Sequence, residues 1–322
     1  MVPSAAVQPL AGMLVIDLTR YLPGAYASRE LLRLGARVVR LEAPEGDPMR
    51  STASAWDDAL AAGKESVTCD LKRDLPFALA LCSRADVVLE GFRPGVAARR
   101  GIGHADLPAR VVYCSITGFG TGNRHEGRAA HDLNYAGWAG LLHDTAPGLP
   151  PLQPADLAAG ALGAVAEVLA ALLHRERTGE GASIEISMTH GTHRLASYRL
   201  GGDPLPRFLT GGVACYSIYE TADGRHLTIA ALEPKFWLRL VELVGLPELA
   251  QRQFEPELPE LAAAIAARPL AAWLELFDGK DVCAGPVATL SEAAAEFGTP
   301  PLGDPPVLGA HTDAWRRELG LG

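Results

Sequence analysis

Between residues 13 and 116 the chain alternates short apolar runs with longer amphipathic stretches. Met13-Leu14-Val15-Ile16-Asp17 is short and apolar enough for a strand buried on both faces. Pro23 and Gly24 read as the turn after it, a helical run continues through Leu34, and Gly35 ends that run. Arg37–Glu42, Ala85–Glu90 and Val111–Ile116 repeat the strand pattern. Strands separated by helical segments predict a parallel sheet with helices on its faces.

Thr117-Gly118-Phe119-Gly120-Thr121-Gly122-Asn123 then forms a glycine-rich loop at the end of the fourth strand. Open α/β sheets bind ligands beyond the carboxyl ends of their strands. The loop is therefore either a ligand loop or a plain connection. Residues 157–177 are dominated by alanine and leucine, close on His174-Arg175-Glu176-Arg177, and are followed by Gly179 and Gly181, a helix with a clear stop. Ala182–Met188 alternates like a strand. Near residue 200 the character changes: Gly201-Gly202-Asp203-Pro204 and Pro206 suit a linker. Tyr216–Tyr219 and His226–Ala230 flank Ala222-Asp223-Gly224, a hairpin signal, and helical stretches follow near 235–245, 258–267 and 269–277. A second, smaller α+β unit is expected there. Residues 298–310 are rich in proline and glycine and expected to be extended, and Thr312 is a candidate cap for a last helix through Leu319.

A length of 322 residues allows one large domain or two, and 48% apolar with 21% charged residues excludes a disordered chain. No apolar run long enough to span a bilayer is free of charges and turn residues, and Met1-Val2-Pro3-Ser4 lacks a signal-peptide pattern. The net charge of −9 argues against general nucleic-acid or membrane binding, so an anionic ligand needs a local basic patch. Cys69, Cys82, Cys114, Cys215 and Cys283 are odd in number and scattered, which fits a reducing cytoplasm and neither a disulfide framework nor a zinc site. His190 and His193 lack a third nearby ligand and read as a surface pair rather than a metal site.

Several chemistries are missing their signatures. The turn Leu22-Pro23-Gly24-Ala25-Tyr26-Ala27 lacks the G-x-G-x-x-G pattern that lets backbone approach a pyrophosphate, although Glu42 sits where a ribose-binding acid would. The G-x-S-x-G elbow and the Walker A loop are absent. What remains is a basic cluster, Arg93, Arg99 and Arg100, after the third strand, and guanidinium forks suit phosphate oxygens. Its alternative is a solvated helix surface. Asp156 precedes the long helix as an N-cap, a catalytic carboxylate, or both; the helix dipole would lower its pKa and burial would raise it. His131 and Asp132, with Asn134 and Tyr135, follow the glycine-rich loop, and a histidine there is a general-base candidate.

Taken together these segments resemble the class III CoA-transferase family, of the L-carnitine dehydratase/bile-acid-inducible type. That family includes α-methylacyl-CoA racemases, formyl-CoA transferases and carnitine CoA-transferases. The resemblance rests on Leu10-Ala11-Gly12, Asp17-Leu18-Thr19 and Leu22-Pro23-Gly24, then Leu34–Pro44 with Gly46-Asp47. It continues through Ser66–Lys72, Glu90-Gly91-Phe92-Arg93-Pro94-Gly95-Val96, Asp156 with Arg175–Gly179, and Leu308–Thr312. His131-Asp132-Leu133-Asn134-Tyr135 and Ala231–Phe236 are similar to racemase segments, and only Gly211-Gly212 stands where transferases carry a longer glycine run.

The resemblance implies an α/β fold: a Rossmann-like large domain with a parallel sheet over residues 1–200, a small α+β domain over 201–290, and a tail, 291–322, that returns to the large domain. It implies an interlocked homodimer, which the cysteine usage places in the cytoplasm and the net charge separates from nucleic acid and membrane. The expected reaction is racemisation at the α-carbon of a 2-methylacyl-CoA. The alternatives are CoA transfer through an aspartyl-CoA intermediate on Asp156, or CoA binding without activity. His131 and Asp156 would be the paired acid and base, backbone N–H groups near Asp156 would stabilise the enolate, and Glu233 would assist from across the dimer. CoA, carried in with the acyl-CoA substrate and not as a resident cofactor, would contact Cys69, Asp70, Leu71, Lys72, Gly91, Phe92, Arg93, Arg99, Ala130, Asp132, Asn134 and Tyr135. No metal is expected. The chain departs from the family at Ala130, where racemases usually have glycine, and at Ala43, where some relatives have a basic residue for CoA. It is also shorter than typical members, chiefly after residue 190 and near the C-terminus.

Overall fold

A computed structural model describes residues 7–299 and 303–321. The readings made for Met1–Ser4 and for residues 300–302 lie outside the described residues. The chain forms two compact units, one running through His143, Pro147–Tyr198 and the C-terminal segment, the other Asp144–Ala146 and the stretch from Arg199.

The first unit is built on six parallel strands, β1 (Leu14–Leu18), β2 (Arg37–Glu42), β3 (Glu65–Thr68), β4 (Val87–Glu90), β5 (Val112–Thr117) and β6 (Ser183–Ser187). Their order is β3-β2-β1-β4-β5-β6, the doubly wound arrangement in which connections diverge on either side of the β1/β4 boundary. Alternate residues supply opposite faces, and both faces are buried. Val15, Val38, Val87, Leu89, Val112 and Cys114 pack against the helices Tyr21–Arg33 and Gly163–Thr178. Ile16, Val39, Leu41, Val67, Val88 and Tyr113 pack against Phe77 and Leu81 of the helix Leu75–Arg84 and against Trp315. β3 is an edge strand, and the chain's end covers it: His311 accepts from the Ser66 N–H at 3.1 Å and donates its own N–H to the Ser66 carbonyl at 3.0 Å.

Three local expectations are corrected. Pro23 and Gly24 do not form a turn; they lie in the first turns of the helix Tyr21–Arg33, where proline is tolerated. Glycine stands at 24 because a Cβ there would fall 1.9 Å from Thr19 Oγ1. Thr312 does not cap the last helix, Thr312–Glu318; its hydroxyl accepts from the Thr68 N–H at 3.0 Å instead. The long helix begins as a π-helical stretch, Ala155–Leu162, so Asp156 lies inside its first turn and makes no side-chain cap. The combined span Ala155–Thr178 is long and apolar enough to cross a bilayer, with mean hydropathy 1.8. Here that apolarity serves packing, since Ala155, Ala161, Ala164, Val168, Ala171 and Leu172 belong to the core.

The second unit has an antiparallel sheet, β7 (Tyr216–Glu220), β8 (His226–Ala230) and β9 (Ala284–Pro286), with β8 central. Gly224 takes the left-handed conformation (φ 69°) that the β7–β8 turn requires. The helices Pro234–Val244, Pro259–Ala266 and Leu270–Phe277 bury Trp237 and Trp273. Each indole N–H finds a carbonyl, Leu249 at 3.1 Å and Ile265 at 2.9 Å.

Candidate active site

β1 and β4 are neighbours in the sheet, and their carboxyl ends release Thr19-Arg20 and Gly91-Phe92-Arg93 into the crevice where the connections diverge. Two cavities, of about 660 and 350 Å³, open there and share these five residues as walls.

The larger cavity extends over the ends of β2 and β3, lined by Ala43–Asp47, Cys69–Lys72, Val96 and Arg100. Cys69, Asp70, Leu71, Lys72, Gly91, Phe92 and Arg93 are thus brought to one groove. Arg20, Lys72, Arg93 and Arg100 line it and are exposed, a positive wall in a groove that Glu42, Glu45, Asp47 and Asp70 also line. Arg99, expected in this set, is not a wall; its guanidinium folds back within 2.9 Å of where a Cβ on Gly95 would sit. Arg100 takes the place, with its guanidinium 5.7 Å from the Phe92 ring centre. Glu42 does not present a free carboxylate to the groove. Arg50 binds it through two bonds of 2.8 Å and Ser66 through one of 2.7 Å. Burial pushes the Glu42 carboxyl up, but these bonds and the charge of Arg40 outweigh it and hold it below the usual range. Burial and the Asp74 charge push the Cys69 thiol up to about 11, so it stays protonated and unreactive near neutral pH.

The smaller cavity holds the candidate chemistry. His131 and Asp156 both line it, with Gly118, Arg128, Ala130, Tyr135 and Met188. The π-helical turn delivers Asp156, and Asp132 anchors that turn: its Oδ1 accepts the N–H groups of Ala155 at 2.7 Å and Asp156 at 2.9 Å. Burial, then the nearby Asp132 charge, raise the Asp156 carboxyl to about 7. Burial is the larger of the two causes, and both act in the same direction. His131 occupies the N-cap position of the helix Asp132–Trp138, and its N–H donates to Asn134 Oδ1 at 3.1 Å. Tyr135 is buried and donates its hydroxyl to the Ala130 carbonyl at 2.7 Å. Gly118 makes room for that ring, since a Cβ there would lie 2.5 Å from it.

Asp132 and Asn134 therefore serve helix termini and line neither cavity, whereas Ala130 and Tyr135 line the smaller one. The N–H groups of Ala155 and Asp156 are engaged by Asp132 and that of Leu157 by the Gln153 carbonyl at 2.9 Å. These three are not free to stabilise an oxyanion, contrary to the expectation for backbone near Asp156. Glu233 lies in the second unit, exposed at the N-cap of the helix Pro234–Val244, with no side-chain capping bond. Among the described residues no group of three or more His, Cys, Asp or Glu could hold a metal ion. His190 and His193 are engaged separately, by Ser187 Oγ at 2.8 Å and the Ala139 carbonyl at 3.1 Å. Arg100 belongs to the basic cluster read from the sequence, whereas Thr19, Arg20, Tyr21 and Arg128 carry no local signal as walls; the sheet order is what shows that the chain after β1 faces the crevice.

The model of CoA-transferase family III matches residues 10–299. The chain belongs to that family. It is 34% identical to the alpha-methylacyl-CoA racemase of Homo sapiens over 88% of this chain and 78% of that protein. It is 31% identical to the succinyl-CoA:glutarate CoA-transferase of Mus musculus over 90% of this chain and 74% of that protein. Among solved structures, a hypothetical protein from Mycobacterium tuberculosis superposes with a TM-score of 0.81 at 30% identity, covering 97% of this chain and 100% of that one. A CAIB/BAIF family protein from Brucella suis gives a TM-score of 0.81 at 27% identity, covering 97% and 99%.

Proposed function

We propose that the protein racemises the α-carbon of a 2-methylacyl-CoA. The larger groove would take the nucleotide end against Arg20, Lys72, Arg93 and Arg100, and the smaller cavity the thioester. The observation that carries the reading is that His131 and Asp156 line one cavity, with the Asp156 carboxyl raised to about 7. A thioester acidifies its α-proton. One residue removes that proton from one face, leaving a planar enolate, and the other returns a proton to the opposite face. The roles swap with direction, so each group must donate and accept near neutral pH, as an unshifted aspartate does poorly. Glu233 is assigned a supporting role across an interlocked homodimer.

The transferase relatives support a second reading. There the Asp156 carboxylate attacks the thioester carbonyl and expels CoA thiolate; the thiolate then attacks the resulting anhydride, releasing the acid and leaving an aspartyl-CoA thioester. The raised Asp156 pKa serves either reading, and His131 on the wall of the same cavity is what favours acid–base work. The test is α-proton exchange of a 2-methylacyl-CoA in deuterated water with wild type, His131→Ala and Asp156→Asn. Exchange from both enantiomers in wild type, lost in each variant for the enantiomer whose base it lacks, supports racemisation. A CoA adduct on Asp156 without exchange, found by mass spectrometry, would replace it with transfer.

A further inference from the structure

Tyr21 has φ 66°, in the left-handed region that residues with a Cβ rarely adopt, and it is the first residue of the helix after β1. Glycine is the usual occupant of such a position. Here the conformation is imposed from outside. The Tyr21 N–H donates to Asp47 Oδ2 at 3.0 Å, while Asp47 Oδ1 accepts the Met49 N–H at 2.8 Å. Asp47 is itself buried, 6% exposed, with the Arg40 guanidinium 3.7 Å away. Arg40 is fixed in turn by two bonds to Asp57, at 3.2 and 2.9 Å. On the other side of Arg20, Asp17 Oδ1 holds the Thr19 N–H at 2.9 Å and its hydroxyl at 2.5 Å.

Two carboxylates thus clamp a three-residue segment from behind. Thr19 and Arg20 wall both cavities; Tyr21 walls the one that contains His131 and Asp156, and Asp47 the other. Strained backbone persists only where its surroundings over-determine it, and such residues gather at ligand clamps and active sites. We infer that Asp47 is a positioning residue, holding Tyr21 in the left-handed conformation so that the Thr19-Arg20-Tyr21 segment fits the two ends of one ligand at once. The inference rests on the acyl-CoA reading of the two cavities.

The test separates backbone conformation from the tyrosine ring. Tyr21→Asn and Tyr21→Val both remove the ring, but asparagine tolerates the left-handed region and a β-branched residue does not. CoA affinity by calorimetry and α-proton exchange of a 2-methylacyl-CoA are measured for each. Tyr21→Val is expected to fall at least tenfold below Tyr21→Asn in exchange. Asp47→Ala is expected to cost about tenfold with Tyr21 present and only about twofold in a Tyr21→Gly background, because glycine adopts the conformation unaided. Equal values for Val and Asn, or an equal Asp47→Ala loss in both backgrounds, would overturn the inference. Should Asp47→Ala not fold, the Asn/Val comparison decides alone. If wild type binds CoA but exchanges nothing, the racemase reading fails, and the same Val/Asn contrast is expected in CoA affinity. A wild type that neither binds nor exchanges removes both.

Discussion

Asp132 Oδ1 accepts the backbone N–H of Asp156 at 2.9 Å, so one carboxylate anchors the turn that carries the other. The contact works in two senses. It fills donors that a helix start leaves without partners, and it places a negative charge beside a buried acid. The second effect adds to burial in raising the Asp156 carboxyl to about 7.

Replacing Asp132 separates these senses. Asp132→Asn keeps an acceptor oxygen and removes the charge, so the Asp156 pKa falls while burial still holds it above the ordinary value. In the direction where Asp156 is the base, the acidic limb of kcat/KM should move to lower pH. Asp132→Ala removes the acceptor as well and should lower stability by about 1–2 kcal/mol in urea unfolding. A pH profile of kcat/KM for both variants, in both directions, checks the pair of expectations.

Asp156 itself should trade stability for function. Its carboxyl ionises near 3.8 when unfolded and at about 7 when folded. Between those values the native state binds more protons than the unfolded state, so this group's contribution falls as pH rises through the window. Asp156→Asn abolishes the titration. The variant should gain stability relative to wild type between pH 5 and pH 8, by about 1–3 kcal/mol, while losing exchange. Urea unfolding at the two pH values tests this, and an equal difference at both would contradict it.

Two glycines in helices should respond oppositely to alanine. A Cβ on Gly24 would lie 1.9 Å from Thr19 Oγ1 and 2.2 Å from Thr19 Cβ, whereas one on Gly163 meets nothing closer than 3.9 Å. Gly24→Ala should cost about 1–3 kcal/mol and weaken CoA binding, because Thr19 walls both cavities. Gly163→Ala should stabilise by about 0.5–1 kcal/mol, since glycine in a helix interior is poorly favoured. Thermal unfolding of both variants gives the comparison.

The strands with short apolar runs, β1, β4 and β5, were legible because burial on both faces leaves little polar alternation, and β2 was legible from Val38-Val39 and Leu41 after the helix stop at Gly35, although Arg40 and Glu42 are buried in it. The β7–β8 hairpin was legible from Asp223-Gly224, whose geometry is local. β3 was not: Glu65-Ser66-Val67-Thr68 has one apolar residue, and its strand state comes from pairing with β2 and from His311. The same limit applies to the site. His131 and Asp156 were readable as chemistry-bearing residues after a glycine-rich loop and at a helix start. The Asp132 anchor, 24 positions from Asp156, and the Asp47 anchor, 26 from Tyr21, depend on how loops fold back at the sheet's end. Local sequence carries no signal for such bonds.

Arg99 and Arg100 give a direct contrast between adjacent positions. The short helix Val96–Arg99 turns its last residue back toward Gly95, so Arg99 leaves the groove, while Arg100, just beyond it, lines the groove. A guanidinium at the groove wall can pair with a phosphate oxygen, whereas one on the outer surface interacts only through screened solvent. Arg100→Ala should weaken CoA binding about tenfold, roughly 1.4 kcal/mol, and Arg99→Ala less than about twofold. The Arg100 effect should shrink as salt is raised, because a contact at an open groove is partly screened. Titration calorimetry with CoA at low and high ionic strength measures both. A larger loss at Arg99 than at Arg100 would mean that the turn after Val96 rearranges when CoA binds, and that the positive wall is completed only in the complex.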